Sequence, residues 1–465
     1  MNSRFVLALT LVAWSAVHPQ ASRQTDKQPT QKAADTTEAF KVLMRGFIAT
    51  RFDHDQHDMG GSEPLIPPPV PLRQTLRASA NQTQLGFGWE SSPTNGTKSR
   101  VYVEIDFLSA AAQGADRIFM RAPRMRQAFW LLGWNEDRDV LQVGQTYALF
   151  ADLLPNVTYD NLALMLGSLT SREPQVRYQH VRPLSDSAAL SFGVSVNAPN
   201  SGMYGENTGT AERSDLPSVH GKLAYSNTRW GGVCYFCFEN TVPSPLSIAL
   251  SGFVGAERAE RLAGDTSTVV AGGGAVNAIV PIVGIRNNRR AGAAGIMAQG
   301  WIGKNIDAYF GGNGQGIYET VTGRVNGIVG RGFIAGGNVF VSQNIWLTAF
   351  YSYEKNNLPH LVNAGIPFRI LSGTFSGPVF GRPGFGQGRD VNVAVWVNPL
   401  PSLYTGVNWD YRQASYNDDQ NGKNNRISLS FFYTFCSAHT DRLPAVPWVC
   451  RTGGQTRDPG TPGKL

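Results

Sequence analysis

Residues 99–108 alternate strictly between two kinds of side chain, and this alternation constrains the fold more than any other feature of the chain. The segment reads SRVYVEIDFL, and from 100 to 107 the odd positions are apolar and the even ones polar or charged: Val101, Val103, Ile105 and Phe107 against Arg100, Tyr102, Glu104 and Asp106. Successive side chains of a β-strand point to opposite faces. The segment therefore predicts a strand with one oily and one charged face.

The same period of two recurs from Phe40 onward. The clearest further cases are LSFGVSV (190–196), VNVAVWV (391–397), LYTGVNWDYR (403–412) and RISLSFFYTF (426–435). Each places branched or aromatic residues on one face and mostly small or polar residues on the other. The chain is predicted to be all-β, and strands of this kind fit either a soluble sandwich or a membrane barrel.

The spacing of these segments favours the barrel. Sixteen candidate strands can be counted, most of them about 9 to 14 residues long, which is enough for a tilted strand to cross a bilayer. Long connections at 54–75, 149–173, 257–290 and 357–388 alternate with short turns at 135–138, 184–187, 302–304 and 342–343, and 304–318 is counted as a strand. The pattern predicts a 16-stranded antiparallel transmembrane β-barrel with long external loops and short periplasmic turns.

One connection departs from this alternation. Residues 229–245 should form a short turn, yet they contain two prolines and the pair Cys234 and Cys237. Either the strand assignment is wrong there or the protein has a structured periplasmic insert. In an oxidising compartment, disulfides are possible among the cysteines Cys234, Cys237, Cys436 and Cys450.

Composition excludes several classes of protein. Charged residues are 16% of the chain, against about 25% in ordinary soluble proteins, and no later segment has the roughly 18 consecutive apolar residues of a spanning helix. The net charge of +7 comes from basic residues spread along the strands, which argues against nucleic-acid binding. No catalytic or metal-binding constellation is recognisable, so we expect neither an enzyme nor a cofactor or metal site.

The two ends of the chain differ from the strands between them. A basic residue, Arg4, precedes an apolar run from Phe5 to Val17, which predicts a cleaved signal peptide (1–21) with cleavage after Ser15 or Ala21; a membrane anchor is the alternative. A polar linker (22–39) follows, then the barrel (40–435) and a C-terminal tail (436–465).

If the apolar face meets lipid, the charged face lines a water-filled lumen. An arginine near the middle of the lipid face would cost about 2 to 4 kcal/mol, which excludes the opposite orientation. The predicted lumen residues are Arg100, Glu104, Asp106, Arg124, Arg126, Arg177, Arg412 and Arg426. Basic side chains in a pore attract anions, although the same residues could simply keep the lumen hydrated.

The connection 149–173 is unusually apolar for an external loop. Its sequence, LFADLLPNVTYDNLALMLGSLTS for 149–171, predicts a segment that folds inward as a constriction, with Asp152, Tyr159 and Asp160 at the narrow point. Alternatively, it covers a contact between subunits.

Several segments together resemble the DcaP-like porins of the trimeric porin superfamily. They are RVYVEIDF (100–107), RMRQAFWLLG (124–133), LQVGQTYALFAD (141–152), REPQVRY (172–178), DLPSVHGKLAY (215–225), AYFGGNGQGIYE (308–319) and NRISLSFFYTF (425–435). The resemblance implies an outer-membrane homotrimer that passes small anionic, dicarboxylate-like solutes, with Arg124, Arg126 and Arg177 facing the solute. The linker is too short for the N-terminal coiled coil common in this group, and the tail after Phe435 is unusual for it.

A second hypothesis is a non-conducting outer-membrane barrel that acts as an adhesin or structural protein. Its basis is the pair of glycine-rich connections 257–290 and 357–388, which could plug the mouth or contact a partner.

Overall fold

The structure is a computed structural model, and its described part covers most of the predicted barrel. It comprises residues 40–57, 73–91, 93–107, 123–151, 165, 167–198, 217–234, 243–262, 265–287, 289–306, 309, 316–319, 325–357, 368–371, 385–400, 402–416 and 421–436. All of these lie in the unit Phe40–Leu465, which is separate from Met1–Ala39. The signal peptide, the linker and tail residues 437–465 lie outside the described part.

The described residues contain twenty strands and a short 3-10 helix at Leu149–Ala151. In chain order the strands are β1 Phe40–Asp55, β2 Thr75–Ser79, β3 Gln84–Ser91, β4 Lys98–Asp106, β5 Arg124–Trp134, β6 Asp139–Tyr147, β7 Arg172–Pro183, β8 Ala188–Asn197, β9 Ser218–Val233, β10 Ser244–Leu262, β11 Asp265–Val283, β12 Ala294–Lys304, β13 Gly316–Glu319, β14 Val325–Asn326, β15 Val329–Phe340, β16 Ile345–Asn356, β17 Phe368–Leu371, β18 Phe385–Leu400, β19 Leu403–Tyr416 and β20 Asn421–Cys436. No helix in these ranges is long and apolar enough to cross a membrane.

Seventeen of these strands form one closed antiparallel sheet. β2 and β3 pair with the two halves of β1, from Arg51 to Asp55 and from Phe40 to Phe47, so they act as one broken wall strand. β20 pairs with the other edge of β1 and closes the barrel, which leaves no open sheet edge. The wall therefore has sixteen strands, as the sequence predicted; β13, β14 and β17 form a separate small sheet.

The alternation of side chains also has the predicted orientation. In β4, Val101 is 38% exposed on the outer face, whereas Arg100, Glu104 and Asp106 are at most 5% exposed on the inner face. The same alternation runs along β1, β8, β16, β19 and β20, where exposed apolar residues alternate with buried inward ones. The outer wall is thus apolar and the interior contains most of the buried charge.

Two errors in the strand assignment cancel in the count of sixteen. Residues 257–290 are not a long loop, because β10 continues to Leu262 and β11 fills Asp265–Val283. β11 contains Gly272, Gly273, Gly274 and Pro281, residues that weaken a strand signal in sequence, although its pairing with β10 and β12 is extensive.

Conversely, 304–318 is not a wall strand. β12 ends at Lys304, and Asn305 takes a positive φ of 53° that turns the chain inward. The Asn305 amide holds this turn by donating to the Val270 carbonyl at 2.9 Å and accepting from the Ile328 N–H at 2.9 Å. Residues 302–304 are therefore the end of β12 and not a turn.

The end of β9 and the residue that follows it are buried. We call the end of the barrel with turns 135–138, 184–187 and 341–344 the short-turn end. There Val233 and Cys234 are buried, and Cys234 packs in a cluster with Phe340, Trp346 and Trp396. Asn338 donates its side-chain N–H to the Cys234 carbonyl at 2.6 Å.

Cys234 is disulfide-bonded. The side chains of Cys237, Cys436 and Cys450 lie outside the described part, so the pairing stays a prediction.

Candidate functional site in the barrel lumen

The inner faces of β4 and β5 hold a compact group of charges, which we call the central cluster: Glu104, Asp106, Arg124 and Arg126. Arg124 contacts Asp106 through two hydrogen bonds, Nε to Oδ1 at 3.0 Å and a terminal N–H to Oδ2 at 2.7 Å. Arg126 bridges both carboxylates at 2.8 Å each. Paired guanidinium–carboxylate contacts of this kind fix geometry as well as charge.

A β-bulge places Arg126 between the two carboxylates. The register between β4 and β5 shifts at Glu104 and Ile105, so Arg126 has no partner residue opposite it in β4. Arg126 and its neighbour Gln127 are both buried, which a regular strand does not allow for consecutive residues. Gln127 donates to Glu104 at 3.3 Å and accepts from Thr146 at 2.8 Å.

Tyr147, at the end of β6, connects the central cluster to two further arginines. Its hydroxyl accepts from Arg126 at 3.0 Å, and its carbonyl accepts from the Arg177 guanidinium. The Arg172 guanidinium lies 5.8 Å from the Tyr147 ring centroid, within cation–π range. The structure therefore brings Arg124, Arg126 and Arg177 to one region of the lumen wall.

Within the described ranges, positive charge is in excess on this side of the lumen. A further arginine, Arg45 on β1, donates to the Tyr102 hydroxyl at 2.6 Å and lies 3.5 Å from Glu104. Guanidinium groups thus outnumber the carboxylates of Glu104, Asp106 and the nearby Glu173. Arg124 has the most exposed side chain of the central cluster, at 22%, so it is the group that a molecule in the lumen can reach.

The other predicted lumen residues lie away from this cluster. Arg100 pairs with Glu90 at 2.6 Å and with Asp137 at 2.7 Å near the short-turn end. Arg412 pairs with Asp410 at 2.7 Å and lies 3.7 Å from Asp390. Arg100 and Arg412 each have two carboxylates close by, so neither adds a net positive charge to its surroundings.

Arg426 belongs to the seam that closes the barrel. It donates to both oxygens of Asp55, at 2.8 and 3.1 Å, and Asn424 donates to the same carboxylate at 2.7 Å. Asp55 is fully buried.

Replacing Asp55 by Asn is therefore expected to lower the free energy of unfolding by about 3 to 5 kcal/mol, because Arg426 loses its charge partner in a buried site. Urea unfolding of the two proteins in lipid vesicles measures this difference in the free energy of unfolding. The matched control is Glu136→Gln, which breaks the exposed Glu136–Arg138 pair and should change little. Equal losses of stability in the two variants would contradict a stabilising role of the Asp55–Arg426 pair.

The described parts of the connection between β6 and β7 lie inside the barrel. Phe150 packs against Phe253 and Tyr309 with ring centroids 4.7 and 5.1 Å away. Leu169 belongs to the same buried cluster, and Met165 packs with Ile279, Met297, Ile334 and Phe350 of the opposite wall. Residues 149–151, 165 and 167–171 thus lie against the inner face of β10–β16.

Among the described residues, hydrogen bonds attach this inward segment to the wall, and Ser251 of β10 donates to the Phe150 carbonyl at 3.3 Å. The Gly167 N–H donates to Glu354 at 3.0 Å, the Gly167 carbonyl accepts from the Trp301 indole at 2.7 Å, and the Leu169 N–H donates to Gln299 at 2.9 Å. Asp152, Tyr159 and Asp160 lie outside the described residues, so their place at a constriction stays a prediction.

Sequence reasoning missed Arg45, Tyr147 and Arg172. Arg45 was detectable, because the alternation of β1 places it on the same face as Arg51 and Asp53. The contacts of Tyr147 were not detectable, since they depend on the register of three strands and on the bulge at Arg126.

The fold has known counterparts among solved structures. No family model and no curated protein matches the chain. The crystal structure of the outer membrane channel DcaP of Acinetobacter baumannii matches with a TM-score of 0.59 at 18% identity, over 86% of this chain and 99% of that one. OprB of Pseudomonas putida matches with a TM-score of 0.49 at 12% identity, over 85% and 94%.

The fold is thus that of the sixteen-stranded outer-membrane porins. At 18% identity the likeness to DcaP concerns the fold, and for the fold it confirms the resemblance found in the sequence.

Proposed function

We propose that the protein is a porin: a passive channel in the bacterial outer membrane for small hydrophilic, anionic solutes of dicarboxylate type. The observation that carries the proposal is the closed barrel whose outer face is apolar and exposed while its inner face carries buried charge. Such a barrel suits lipid outside and water inside. The fold shared with a protein described as an outer membrane channel supports the same conclusion.

The excess of guanidinium groups around Arg124 supports the preference for anions. A guanidinium presents a planar fork of donors that matches a carboxylate, and a narrow lumen strengthens its field. A solute diffusing past the inward segment meets Arg124, which Asp106 holds in place. No bond is made or broken, so the channel needs no cofactor.

Export and assembly are part of the proposal. The N-terminal apolar run would direct secretion and be removed, and the barrel would insert as a homotrimer, as the resemblance to trimeric porins implies. Gel mobility with and without heating tests the assembly: a trimer band that collapses to a monomer on boiling is expected, whereas monomer mobility in both lanes contradicts it.

Planar-bilayer recordings of the purified protein test the channel itself. Stepwise conductance, with a reversal potential in a KCl gradient that favours chloride, is expected. Complete absence of conductance would favour the non-conducting adhesin or structural barrel. One basis of that alternative no longer holds, because 257–290 is mostly wall strand.

The lipid-facing wall predicts a depth-dependent cost for a charge. Leu429→Arg, near the middle of β20, should lower the free energy of unfolding in vesicles by about 2 to 4 kcal/mol. Val341→Arg, in a turn at the short-turn end, is the matched control and should cost at most about 1 kcal/mol. Equal costs at the two depths would contradict a lipid-facing wall.

A further inference from the structure

The short-turn end of the barrel carries a basic patch that lumen chemistry does not explain. It is formed by the end of β9 and the turn between β11 and β12, and its residues are Arg229, Trp230, Arg286 and Arg289. All four are exposed, and Trp230 is 56% exposed, which is unusual for so large an aromatic side chain.

Hydrogen bonds between the end of β9 and the turn after β11 hold the two parts of the patch together. Gly232 and Ile285 exchange N–H···O bonds of 3.3 and 2.7 Å, and the Arg286 guanidinium donates to the Arg229 carbonyl at 3.1 Å. The Arg289 N–H donates to the Arg286 carbonyl at 2.9 Å and closes the turn. The backbones that carry the three arginines are therefore held next to one another.

Among the described residues, no carboxylate pairs with the arginines of the patch. No ion pair joins Arg229, Arg286 or Arg289 to a carboxylate in the described part of the chain. Three other short turns of this end differ: 135–138 reads NEDR, 184–187 reads LSDS and 341–344 reads VSQN. Of these four turns, only the turn between β11 and β12 has a net positive charge.

The patch borders the apolar outer wall directly. Ile282 and Val283 at the end of β11 are 58% and 52% exposed, and Arg286 follows three residues later. Exposed tryptophan and arginine at the edge of an apolar band are typical of the level of lipid head groups. Arginine binds phosphate oxygens through paired hydrogen bonds, and basic residues near an anionic surface are attracted to it.

We propose that this patch binds the head group of an anionic phospholipid, with Trp230 at the interface and Arg229, Arg286 and Arg289 around the phosphate. The inference rests on the proposed membrane-spanning barrel. A lipid fits better than an acidic protein because the charge is continuous with an apolar surface that lipid chains would cover. Because the arginines lie together in one turn region and not all around the barrel, they fit one bound lipid better than a general belt of interfacial residues.

Native mass spectrometry of the full-length protein in detergent, titrated with phosphatidylglycerol, tests the site. The variant Arg229→Gln/Arg286→Gln/Arg289→Gln should bind this lipid at least about tenfold more weakly. The matched control Lys304→Gln/Arg331→Gln/Lys423→Gln removes three exposed charges at the opposite end and should leave binding unchanged. Equal losses in both variants, or none in either, overturn the proposal.

Three further binding measurements identify which ligand the patch prefers. Phosphatidylcholine should bind less than phosphatidylglycerol, and inorganic phosphate at equal concentration should not displace the lipid; complete displacement would mean a site for free phosphate. Binding of poly-glutamate to the patch without binding of phosphatidylglycerol would assign it to an acidic protein.

Two controls keep the test interpretable. If the triple variant does not fold, as judged by heat-modifiable gel mobility, Trp230→Ala leaves the arginines intact and should still weaken lipid binding several-fold. Conductance of the same preparation tests the proposed function separately: channels without a lipid preference overturn only the lipid site.

Discussion

Replacing Arg124, Arg126 and Arg177 together by Gln is expected to convert an anion-preferring channel into a cation-preferring one. The change leaves Glu104 and Asp106 without Arg124 and Arg126. It also removes the charge of Arg177, which lies on the other side of Tyr147. Unit charges 10 Å apart interact by roughly 0.4 kcal/mol even at the dielectric constant of water, so three charges change relative permeability by about tenfold or more. The reversal potential in a KCl gradient should change sign.

The structure supplies two controls for this result. Asp106→Asn should shift the reversal potential the opposite way, because Asp106 neutralises Arg124 and Arg126. Arg126 is buried and its loss threatens folding, whereas the partly exposed Arg124 does not carry that risk; Arg124→Gln alone should give part of the shift. An unchanged reversal potential in the folded triple variant would disprove the role of these arginines in anion preference.

Gly167→Ala is expected to detach the inward segment from the wall and produce channels that switch to larger conductance levels. Gly167 has a φ of 81°, and a Cβ built there lies 2.4 Å from the Tyr353 carbonyl oxygen. The positive φ alone costs about 1 to 2 kcal/mol, and the clash has to be relieved by moving the segment. Movement would weaken the hydrogen bonds from Gly167 to Glu354 and from Trp301 to Gly167.

The control for this variant has nearly the same backbone conformation without the contact. Gly292 has a φ of 80° and nothing within 4 Å of its ideal Cβ position. Gly292→Ala therefore carries the same conformational cost but should leave single-channel conductance unchanged. Similar recordings from the two alanine variants would show that the inward segment does not control conductance.

The wall of the barrel was predictable because its signal is local. Alternation along β4 or β20 reveals which side chains share a face, and excluding arginine from lipid decides which face is inside. Where glycine and proline interrupted the alternation, as in β11, the strand was missed although its neighbours pair with it throughout. Its pairing is a property of three strands and cannot be seen in one.

The sequence by itself determined the class of fold, an antiparallel transmembrane β-barrel, and which face of a regularly alternating strand is apolar. Only the tertiary structure decided which charges meet: the bulge that turns Arg126 toward Glu104 and Asp106, the contacts of Tyr147, and the pairs that Arg412 and Arg426 form on β19 and at the seam of β20 with β1. The physical reason is the distance in sequence over which each property is set. The face of a side chain depends on its own strand, whereas charge pairing depends on the register between strands distant in sequence, and a shift of one residue changes every partner.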